Sequence, residues 1–107
     1  MYRLIKGFFV VLVATFLSAT PLAFAADGSQ LFQANCTTCH AGGTNRVNGA
    51  KTLSKDDLGK WEMASLDKIT YQVTNGKLAM PSFKGRLQPD EIKAVAQYVL
   101  DQAEAGW

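Results

Sequence analysis

Apolar residues recur at helical spacing near the end of the chain. Ile92, Val95, Ala96, Val99 and Leu100 stand at i, i+3, i+4, i+7 and i+8 and form one stripe. Pro89 suits a first helical position, and Asp90 and Glu91 complement the positive end of the helix dipole. The pattern predicts a helix over 89–103. A second helix should open at Asp27, a natural N-cap, and carry Leu31, Phe32 and Ala34 toward a core. A third is predicted over 65–74, with Leu66, Ile69 and Val73 on one face and Asn75-Gly76 as its stop. A short fourth begins at Ser54, where Ser54-Lys55-Asp56-Asp57 approximates a capping box. Gly42-Gly43, Asn48-Gly49 and the stretch from Pro81 to Pro89 mark the loops. No stretch alternates at period two, so the expected class is all-α.

The first 25 residues follow a different pattern. Arg3 and Lys6 precede an apolar run from Phe8 to Leu17, Ser18-Ala19-Thr20-Pro21 breaks it, and Ala23-Phe24-Ala25 supplies a small-x-small end. A spanning helix needs about 20 apolar residues, and this run has roughly half that. Residues 1–25 therefore read as a removable signal peptide, and residues 26–107 as one exported domain. This changes the charge picture. The whole chain of 107 residues carries a formal +2, but without Arg3 and Lys6 nine bases face nine acids. A neutral domain has no general basic field, which argues against nucleic-acid binding. The remainder is also near the size at which a core alone stabilises a fold only marginally, so a cofactor or cross-link is expected.

The chemistry lies in Cys36-Thr37-Thr38-Cys39-His40, a C-x-x-C-H. Two thiols three positions apart can add to the vinyl groups along one edge of a haem, and the imidazole that follows falls beneath the iron. A thioredoxin-like redox pair would expect an α/β pattern. A closed zinc site needs four ligands, and the chain holds two cysteines and one histidine. In an exported helical chain the motif points to covalent haem c. With His40 used, a sixth ligand must come from Met80 or Met63, the methionines after the signal segment. Met63, between Trp61 and Ser65, suits a core filler. Met80 sits in the Gly/Pro-punctuated loop Asn75-Gly76-Lys77-Leu78-Ala79-Met80-Pro81, able to hold a thioether over the far haem face. His/Met ligation favours ferrous iron, raises the potential and leaves no open site for a substrate. A haem enzyme or gas sensor would need such a site.

These residues resemble cytochrome c6, the soluble class I cytochrome c of oxygenic phototrophs, over nearly all of 26–107. The resemblance rests on 35–43 around the two cysteines, Lys51-Thr52-Leu53, the run from Tyr71 to Leu87, and 95–100 with Trp107. It implies a class I cytochrome c fold of about four helices around one covalent haem, with the first and last helices crossing. It also implies thioethers at Cys36 and Cys39, axial ligands His40 and Met80, and Gln72 beside the haem. Partners would be the cytochrome b6f complex as donor and photosystem I as acceptor, with a terminal oxidase as a further acceptor. Arg86 matches a residue implicated in docking, and Lys77 and Lys84 are expected to join it around the methionine side. The resemblance implies a monomeric carrier, not an enzyme, in the thylakoid lumen, with the periplasm as the other compartment. The short presequence fits a cyanobacterial or plastid-encoded gene. The competing reading keeps the chemistry and changes the partner: a periplasmic monohaem cytochrome serving a respiratory oxidase.

Overall fold

Short polar side chains start three of the helices. In the computed structural model, which describes residues 26–107, Asp27, Ser54 and Ser65 each accept from the backbone N–H three residues on. The predicted signal segment, 1–25, lies outside the described residues. The capped helices are α1 (Gly28–Asn35), α3 (Lys55–Lys60) and α4 (Leu66–Asn75). Between the first two lie α2 (Thr37–His40) and a 3-10 turn, Ala41–Gly43. The last helix, α5, spans Pro89–Ala105. Among the described residues no strand forms, only an isolated bridge between Lys77 and Met80. The class is all-α, as expected, with one helix more than the expected four.

The extra helix is α2, a single turn too short to show periodicity in sequence. Two smaller expectations need correction. Ala34 is exposed, because it sits two positions from Phe32 and so turns to the opposite side of a helix that buries Phe32. Asp57 does not complete a capping box with Ser54. Its carboxylate instead accepts from the Thr52 N–H and hydroxyl, drawing the preceding loop onto α3. A reciprocal box does form at α5, where Gln88 caps and Glu91 accepts from the Gln88 N–H at 2.9 Å.

The stripe on α5 builds the core. Ile92, Val95, Ala96 and Val99 are buried and join Phe32, Leu58, Ile69 and Val73 from the other helices. The long helix therefore contacts α1, α3 and α4. Gly28 lets α1 meet it closely: a Cβ there would collide with the Ala94 carbonyl oxygen. Each buried Val, Leu, Ile or Phe contributes about 1.5–3 kcal/mol. The sole ion pair among the described residues, Lys55 with Glu104 at 3.0 Å, is about two-thirds exposed on both sides and is worth about 0–1 kcal/mol. Packing decides this fold.

Candidate functional site

Phe32 O accepts from Cys36 N–H, ending α1, and Cys36 O then accepts from His40 N–H at 2.8 Å. Cys36, Cys39 and His40 thus occupy i, i+3 and i+4 of one turn and share a face. All three line a cavity of about 470 Å³, within the range of small-molecule and cofactor sites. Its walls come mostly from apolar side chains, including Phe32, Leu58, Ile69, Val73, Val95 and Val99. Met80 lines the same cavity, so the two sequence-predicted ligands, forty positions apart, meet at one site.

Backbone hydrogen bonds hold the methionine loop. Lys77 and Met80 exchange both N–H···O bonds, at 3.0 and 2.9 Å, around a tight turn through Leu78 and Ala79. Phe83 N–H and Ser82 Oγ donate to Val73 O and Thr74 O, clipping the following segment onto α4. Gln72, also lining the cavity, donates from Nε2 to the Met80 sulfur at 3.6 Å. Met63 packs against the core as expected, but it too lines the cavity.

The donor chemistry fits a haem. His40 Nδ1 lies 2.9 Å from the Thr44 carbonyl. A carbonyl only accepts, so Nδ1 carries the proton and Nε2 is left with its lone pair free to bind a metal. Burial pushes the Cys36 thiol up to about 11. Redox-active C-x-x-C pairs need the opposite shift, toward thiolate. Among the described residues no group of three or more His, Cys, Asp and Glu is placed to hold a metal ion. The arrangement is therefore a mostly apolar slot lined by two thiols, an oriented imidazole and a thioether.

Of the three bases expected near the methionine side, Lys77 lines the cavity, while Lys84 and Arg86 do not. Arg86 instead lies over the Phe83 ring, 5.6 Å from its centre. Sequence reasoning assigned no role to the polar wall formed by Asn45, Asn48, Lys51 and Thr52 with Trp61. Asn45 organises it, accepting from Val47 and Asn48 N–H and donating to Lys51 O at 2.9 Å. Lys51 Nζ sits 4.4 Å from the Trp61 ring centre. Asn48-Gly49 marks the loop in sequence, and the recurrence of Asn at 45 and 48 is the signal for its side-chain-bonded turn.

Comparison with known proteins agrees with this geometry. The family described as "Cytochrome C oxidase, cbb3-type, subunit III" matches residues 23–99. Cytochrome c6 of Gloeothece citriformis is 51% identical over 110 residues, covering 100% of both chains. Cytochrome c6 of Nostoc sp. is 55% identical over 96 residues, covering 87% of this chain and 86% of its own. The crystal structure of cytochrome c6 from the diatom Phaeodactylum tricornutum superposes with a TM-score of 0.73 at 51% identity, over 75% of this chain and 94% of that one.

Proposed function

The chain belongs to the cytochrome c6 family, c-type cytochrome electron carriers with haem c as cofactor, and from that premise we propose a specific role and site. The protein is a soluble one-electron shuttle from the cytochrome b6f complex to photosystem I, working in the thylakoid lumen after loss of residues 1–25. It carries electrons and catalyses no reaction of its own. The observation that supports this best is the convergence of the C-x-x-C-H turn and the Met80 loop on one apolar cavity.

Cys36 and Cys39 would hold the haem through thioether bonds, and His40 and Met80 would ligate its iron. The bound haem supplies reversible one-electron exchange between ferrous and ferric iron. The Thr44 carbonyl fixes the His40 tautomer and orientation. Gln72 holds the Met80 thioether through its amide. The mostly apolar walls would surround the haem with a low-polarity environment.

Flash oxidation of photosystem I particles in the presence of the purified holoprotein tests the role. Re-reduction should accelerate in proportion to added reduced protein. A haem-loaded protein that leaves that rate unchanged but reduces a terminal oxidase would replace the proposal with the respiratory reading.

A further inference from the structure

Trp107 follows α5 and Gly106, and its backbone is in the left-handed region at φ 63°. Its N–H donates to Gln102 O at 2.8 Å, which turns the residue back on the helix it follows. The indole packs on Phe32, with ring centres 5.4 Å apart, and Nε1 donates to Leu53 O at 2.8 Å. The same ring covers Gly43, where a Cβ would lie 2.5 Å from three indole atoms. Leu53 N–H donates to Gly43 O at 2.8 Å. The indole therefore bears on both ends of the loop over 43–53, at the point where those ends are tied together. The residue after Gly43 is Thr44, the acceptor for His40 Nδ1.

A large aromatic placed on a buried glycine sets that backbone to within a few tenths of an ångström, because no side chain lies between them to absorb a shift. Whatever fixes Gly43 also fixes the direction of the adjoining Thr44 carbonyl. Aromatic packing with Phe32 alone would give the indole a purely structural role. The added bond to Leu53 and the contact on Gly43 aim it at the loop that orients the imidazole.

We infer that Trp107 is a positioning residue for His40, acting through Gly43 and the Thr44 carbonyl. The inference rests on the reading of His40 as an axial ligand. A firm Nδ1–H···O=C bond makes the imidazole a stronger donor, which favours ferric iron. Loosening Trp107 should weaken that bond and move the midpoint potential upward.

The holoproteins of Trp107→Phe and Trp107→Ala test this, with Ile92→Val as a control that perturbs the buried face of α5 away from this path. Two quantities are read: exchange of the His40 Nδ1 proton by NMR, and the midpoint potential. Trp107→Phe keeps a ring on Gly43 but loses the bond to Leu53, and should show a small rise in both. Trp107→Ala should speed exchange about two- to thirteenfold, the range for one net hydrogen bond, with a larger rise in potential. Ile92→Val should lose stability and leave both quantities alone. If Trp107→Ala does not fold, Trp107→Phe against the control decides. Exchange and potential that match the control in every folded Trp107 variant would overturn the inference. The wild-type spectrum separates the underlying reading: a His40 ring without the large shifts of an iron ligand would overturn both.

Discussion

Among the described residues, the Met80 sulfur accepts one side-chain hydrogen bond, from the amide of Gln72. An N–H directed at a thioether draws density from sulfur and weakens its donation to ferric iron more than to ferrous. Gln72→Val should therefore lower the midpoint potential while the spectrum keeps its methionine band; redox titration reads this directly. Met80→Ala should lose that band and admit exogenous ligands. Met63→Ala should keep it and cost about 1–2 kcal/mol in denaturant unfolding, since a partly buried methionine removes only part of a full side-chain contribution. A band lost in Met63→Ala and kept in Met80→Ala would reverse the assignment. At this scale the sequence was most informative where chemistry is local. Cys36, Cys39 and His40 lie within five residues, so their spacing alone places them on one turn. Thr44 was invisible because its contribution is a backbone carbonyl, which any residue at that position carries. Nearness to Met80 in sequence does not bring Lys84 and Arg86 into the cavity lining: Phe83 and Lys84 N–H are tied to Val73 O and Thr74 O on α4.

Helix starts were legible because a cap is a short-range device: Asp27, Ser54 and Ser65 each act three residues ahead. The closeness of α1 to α5 was legible only through resemblance, for a contact between Gly28 and Ala94 leaves no periodic trace. That contact is testable. Alanine is the better helix former by about 0.8–1 kcal/mol, so propensity alone would make Gly28→Ala stabilising. Overpacking against the Ala94 carbonyl costs about 1–3 kcal/mol. The variant should melt below wild type in a thermal scan. The loop before α3 has its own pH signature. Hydrogen bonds from the Thr52 hydroxyl and N–H, with a smaller contribution from Lys60, hold the Asp57 carboxyl below its ordinary value. In acid the unfolded chain then binds a proton at Asp57 before the folded one does, so stability rises with pH in that window. The contribution is complete above the ordinary aspartate value of about 4 and is lost as pH falls through the folded value. Acid unfolding of Asp57→Asn should have a shallower pH dependence below about pH 4 and the wild-type slope above it.

At the scale of the molecule, equal numbers of bases and acids after residue 25 leave docking to local arrangement. Exposed Leu78 and Lys77 stand together on the turn that carries Met80, beside Ala79 and Pro81 at the cavity. Lys77→Glu should slow encounter with photosystem I more than Lys68→Glu on α4, with Arg86→Glu between them. Flash kinetics over a range of salt concentrations rank the three; equal slowing by all would remove a local docking face. Such an experiment depends on what salt does to the protein itself, and here the Lys55–Glu104 pair has a practical consequence. Among the described residues it is the single ion pair, it is open to water, and no charged side chain is buried. At 0.1 M the screening length is about 10 Å, enough to blunt forces between approaching surfaces. The interior offers those ions almost nothing to weaken. Ionic strength is thus a nearly orthogonal dial for this carrier: turning it probes the meeting of two proteins while the vessel that holds the electron stays as it was.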